Sequence, residues 1–151
     1  MTVDDIALAI DAAQLVSLGD SPAALELLRD SEDHADLQHA ALSILAHVLG
    51  GDGAPERFAE LRSRVHHLAL QRGAQDRQVV LNLEVVAAAE ALAQGDPDRA
   101  DVIVAGSEFT GIDVAWCATC LLGQCVSGWL GIDRLAGFWG DLRCHYGIGG
   151  A

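Results

Sequence analysis

The apolar residues of this 151-residue chain recur at helical spacing nearly everywhere, and no stretch alternates with the period of two that a half-buried strand requires. That regularity confines the chain to folds in which helices bury against helices. Apolar residues make up 51% of the chain, enough for a core, while aromatics are only 5%. Alanine, leucine and valine therefore supply the contacts, and they favour closely packed helices over an aromatic-rich sandwich. The expectation is one all-α domain over residues 1–146, with 147–151 as a flexible C-terminal tail that has nothing to pack.

Punctuation predicts eight helices. The first runs from about Val3 to Leu18, capped by Thr2, with Asp4 and Asp5 in its first turn. Ser21-Pro22 opens the second, serine as cap and proline at the first helical position, and the third ends near Leu49. The fourth spans Ala54 to Arg72 and stops at Gly73. The fifth, Arg77 to Gln94, is apolar on nearly every side and belongs in the middle of the molecule. The sixth reaches about Gly106, the seventh runs from Ile112 to Leu130, and the eighth from Asp133 to Cys144. Val114 to Ile132 carries no charge, but Thr119, Gln124, Ser127 and three glycines fit a buried helix better than a membrane span.

Glycine-aspartate corners recur between a long helix and a shorter one: Gly19-Asp20, Gly51-Asp52, Gly95-Asp96 and Gly131-Ile132-Asp133. In three of them alanine follows glycine by five residues, as Ala24, Ala100 and Ala136. Glycine lets the chain reverse, and a methyl side chain lets the second helix lie close against the first. The spacings of 32, 44 and 36 residues approach the period of helix-pair repeats. Ala91-Leu92-Ala93-Gln94-Gly95-Asp96-Pro97-Asp98-Arg99-Ala100, and more weakly Leu15 to Ala24, resemble the tetratricopeptide-repeat family and its divergent bacterial relatives. The resemblance implies four antiparallel helix pairs in a right-handed stack, with a compact eight-helix bundle as the alternative. It also implies that the first helix of each pair lines a groove, which would receive His39, Ser43, His47, Gln78 and Asn82.

Residues with chemical potential are scattered. Cys117 and Cys120 share a helix face, but Cys125 points about 140° away from Cys120, so three sulfurs cannot converge from one helix. Buried thiols, with no metal and no cofactor, are the expectation. His39 and His47 lie about 12 Å apart along a helix, too far to share an ion without a partner helix. Glu84 and Glu90 sit in the most apolar helix, where burial raises a carboxyl pKa. They project about 120° apart, so pairing with an arginine across a helix contact is the expected role. No nucleophile elbow, phosphate loop or dinucleotide fingerprint is present.

Twenty-two acids oppose nine bases, all arginine, giving a net charge of −13. Such a chain is repelled by a phosphate backbone, which argues against nucleic acid as a partner. Residues 1–50 carry net −8, whereas Arg57, Arg62, Arg64 and Arg72 cluster on the fourth helix. With acids at the start and no export signal, a cytoplasmic location is expected, with no membrane partner. Trp116 and Trp129 read as core; Trp139 and Tyr146 read as partly exposed, at a partner or homodimer contact. The reading that leads is a non-enzymatic scaffold binding another protein or peptide. The alternatives are an acidic inhibitor (an immunity protein, antitoxin or nucleic-acid mimic) and a small-molecule binder or enzyme with a pocket between the fifth and seventh helices.

Overall fold

The computed structural model describes residues 1–149, and every regular element among them is helical. The order is α1 (Val3–Ser17), α2 (Ser21–Arg29), α3 (His34–Leu49), α4 (Ala54–Arg72), α5 (Arg77–Ala93), α6 (Pro97–Ala105), α7 (Gly111–Trp129) and α8 (Ile132–His145). Local chemistry sets these limits. Thr2 and Thr110 each close a reciprocal capping box, with Asp5 and Asp113 three residues on. Asp33 and Asp76 cap α3 and α5 with their carboxylates. The α2 cap lies one residue earlier than the sequence suggests. Asp20 accepts from the Ala23 amide at 3.3 Å, and Ser21 is already helical. A carboxylate serves the positive end of a helix dipole better than a hydroxyl does.

Two corners are built alike. Gly19 and Gly95 take positive φ, 87° and 76°, and the backbone amides of the aspartates after them donate back five residues, Asp20 to the Leu15 carbonyl and Asp96 to that of Ala91, each at 2.9 Å. Ala24 and Ala100 are buried beyond them. The other two corners differ. At the second, Arg57 turns back from α4 and donates to the carbonyls of Leu49, Gly50 and Asp52 at 2.6–2.9 Å, closing the α3–α4 turn. At the fourth, Gly131 has ordinary negative φ and Ala136 is exposed, so no close helix pair forms there.

Packing is a compact bundle, not a linear stack. Helices α1, α3 and α5 neighbour one another in order, but α7 crosses back to touch α1, α2 and α3 as well as α5 and α8. Gly123 makes this approach feasible: a Cβ there would lie 2.7 Å from the Val16 side chain and 2.8 Å from the Ala13 carbonyl oxygen. The charge-free run beginning at Val114 is thus explained by protein on several sides. Helix α5, expected at the centre, has neighbours in α3, α4, α6 and α7, yet leaves Leu83 exposed. The α4 arginines are spent internally: Arg57 in its turn, Arg62 on Glu90, Arg64 on Glu60 and Arg72 on Asp76.

Ile148 is half-buried against the core and its amide donates to the Arg143 carbonyl at 2.9 Å, finishing α8. Of the expected flexible tail, Gly150 and Ala151 lie outside the described residues.

Candidate functional site

The corner where α3 and α8 end carries the most accessible chemistry. His47, in the last turn of α3, stacks on His145, in the last turn of α8, with centroids 4.1 Å apart and planes 16° from parallel. Tyr146 meets both rings edge-on, at 5.7 Å and 5.0 Å. Partial burial, and then the nearby His145, push the His47 pKa below the usual imidazole value. Burial raises the Tyr146 phenol.

His47 stands between two clefts. One, of about 410 Å³, is lined by Ser43, Ala46, His47, Gly50 and Gly51 with Leu92 and Ala93 of α5. The other, of about 310 Å³, has Val48, Trp129, Phe138 and Leu142 as its apolar wall and His47, Asp141 and His145 at its rim. A third cleft continues from Phe138 and Asp141 past Leu130, Arg134 and Gly137. The three adjoin one another, His47 bordering the first and second and Phe138 and Asp141 bordering the second and third, in a row of clefts over α5, α3, α8 and α7 that serves here as one groove. Trp129 is 39% exposed beside it, and Ile132 79%.

Of the residues that the sequence assigns to a groove, Ser43 and His47 line this one. His39 is exposed farther back on α3. Gln78 is exposed in the first turn of α5, about 21 Å along the axis from Leu92. Asn82 is a correction: it is 9% exposed, and its Oδ1 accepts the Cys117 thiol at 2.9 Å. Helix α7 packs over this side of α5. The two tryptophan assignments exchange places. Trp139 is fully buried and its indole N–H donates to Ser17 Oγ at 3.0 Å, because it shares a stripe with Leu135 and Leu142 that docks on α1. Trp129, expected in the core, ends its helix at the surface. Tyr146 is half-buried at the histidine stack.

The sequence assigns Trp129 to the core and gives Phe138, Asp141 and His145 no place in a groove. The spacing 138, 141, 142, 145 on α8 marks a mixed apolar and polar face that could have pointed to them. No family model, curated protein or solved structure matches this chain.

Reactive groups elsewhere are restrained. Cys117 and Cys125 are buried, Cys120 half-buried and Cys144 exposed. Burial raises the Cys117 thiol strongly, Cys120 to about 12 and Cys125 to about 11, so these three stay protonated and poorly nucleophilic at neutral pH. Among the described residues, no three histidine, cysteine or acidic side chains converge as a metal-ligand set. Glu90 pairs with Arg62 at 2.7 Å, the expected arrangement. Glu84 instead accepts from the Ser107 hydroxyl at 2.6 Å. The space beside Glu84 between α5, α6 and α7 is about 10 Å³, room for one water molecule. No helix among the described residues is long and apolar enough to cross a membrane.

Proposed function

We propose that this chain is a non-enzymatic, cytoplasmic adaptor that binds another protein or a peptide in the groove running over His47. The observation that carries the reading is the adjacency of three clefts beside an exposed tryptophan, a half-buried phenylalanine and a histidine pair. Large amphipathic side chains of this kind supply contact area with little loss of rotamer freedom. Kinship with helix-pair repeats is supported by the matching corners at Gly19 and Gly95, although the binding surface here lies at helix ends, since α7 packs over the Asn82 side of α5.

The test is affinity capture from a native-host extract with the unaltered chain and with a Trp129→Ala/Phe138→Ala double variant. A partner held by the first and lost by the second, with the helical fold of the variant retained by circular dichroism at the capture temperature, supports the reading. Equal capture by both contradicts it.

A further inference from the structure

The chemistry of the occupant follows from charge. Resting on the groove reading above, we propose that the groove receives a basic segment of another protein, one bulky apolar side chain entering between Trp129 and Phe138 and one arginine or lysine pairing with Asp141. Three observations converge. Asp141 lies at the rim of two adjoining clefts, is exposed, and makes no ion pair among the described residues. The cleft wall beside it is apolar, formed by Val48, Trp129, Phe138 and Leu142, so a side chain seated there excludes water from the Asp141 pair and strengthens it. The chain as a whole carries −13, and the arginines that could offset this near the groove are engaged elsewhere: Arg143 holds Asp11 and Gln14 of α1, and the α4 arginines are paired. Arg134 shares the outermost cleft with Asp141, but only Asp141 also borders the apolar cleft of Val48, Trp129, Phe138 and Leu142, so the occupant's cation belongs on that side.

An acidic segment approaches against the net charge of −13, whereas a basic one is drawn in and a neutral one is neither repelled nor steered. Non-specific attraction to a surface of this charge would also enrich basic sequences, and only dependence on Asp141 separates the two. The experiment is selection of a displayed random 12-residue peptide library on the full chain, followed by affinity measurement of the enriched peptides on three variants. Asp141→Asn removes the charge at nearly constant shape, Trp129→Ala removes the apolar wall, and Asp98→Asn removes an exposed acid on α6, outside the groove. The expected result is enrichment of peptides with a bulky apolar residue near an arginine or lysine. Asp141→Asn and Trp129→Ala should each weaken them about tenfold or more, and Asp98→Asn less than about twofold.

Enriched peptides that are acidic or uncharged, yet still lose affinity in Trp129→Ala, would overturn the charge assignment and leave the groove standing. Basic peptides insensitive to both groove variants, or no enrichment, would overturn the proposal together with the site. Association of the chain with itself, lost in Trp129→Ala by sedimentation, would assign the groove to a second copy and overturn it as well.

Discussion

Replacing Gly123 by alanine separates two opposing effects whose sizes can be worked out beforehand. Glycine inside a helix costs roughly 0.5–1 kcal/mol relative to alanine, so on propensity alone the change stabilises. Against this, the new methyl would sit 2.7 Å from Val16 Cβ and 2.8 Å from the Ala13 carbonyl oxygen. Neither atom can swing aside, one being fixed to the α1 backbone and the other part of it. Helices α1 and α7 must part by about 0.7–1 Å to restore ordinary contact, which forfeits roughly a quarter to a half of the dispersion attraction at the affected contacts. Overpacking of this kind costs about 1–3 kcal/mol. The clash wins, and Gly123→Ala should destabilise by about 1 kcal/mol. Gly137, in α8, is the control: it is exposed and a Cβ there meets nothing within 4 Å, so Gly137→Ala should stabilise by about 0.5–1 kcal/mol. Urea unfolding of both variants, with unchanged slope, measures the difference. Equal stabilisation by the two would refute the close approach of α7 to α1.

Trp139→Ala should cost about 3–5 kcal/mol in the same assay, because a fully buried ring and its bond to Ser17 are lost, while Trp129→Ala should cost under about 1 kcal/mol; comparable losses would contradict their assigned places. Arg57→Ala should destabilise by roughly 2 kcal/mol, since three carbonyls of the α3–α4 turn lose a charged donor; amides of Gly50 to Gly53 should then exchange faster by NMR. Thr119→Val should be neutral or stabilise by up to about 1 kcal/mol, because its buried hydroxyl has no hydrogen-bond partner and the shape is kept; a marked loss would reveal a hidden bond. His47 holds its pKa below 6.5, so the unfolded chain binds more protons than the folded one as pH falls past that value. Its contribution to stability is therefore complete above pH 6.5 and lost below it, and His47→Gln should flatten the decline of melting temperature between pH 7 and pH 5.

The helices were legible because their limits depend on neighbours in sequence: Thr2, Asp76 and Gly73 act within one turn of the residues they stop or start. Which faces meet is decided by residues far apart, and there the reading slipped. The uncharged run from Val114 announces a buried helix, but its crossing of α1 depends on Gly123 meeting Val16, a pairing that periodicity does not encode. Trp139 was misplaced because aromatic residues near a chain end look expendable, although Leu135 and Leu142 already flank it on one stripe. Asn82 is polar and reads as a groove residue, yet the Cys117 thiol gives it a partner inside. His47 stands out in the sequence by its helix face, but the ring it stacks on, His145, comes from the last turn of α8, 98 residues later, and no local pattern joins the two.

Native-state hydrogen exchange along α7 bears most directly on the whole arrangement. If this helix fills the space between α1 and α3, the amides of Ala115 to Cys125 should exchange only through global unfolding, with the same opening free energy as the slowest amides of α1 and α3. Exchange of α7 through a local opening, while α1 and α3 stay protected, would contradict the packing of α7 against both helices.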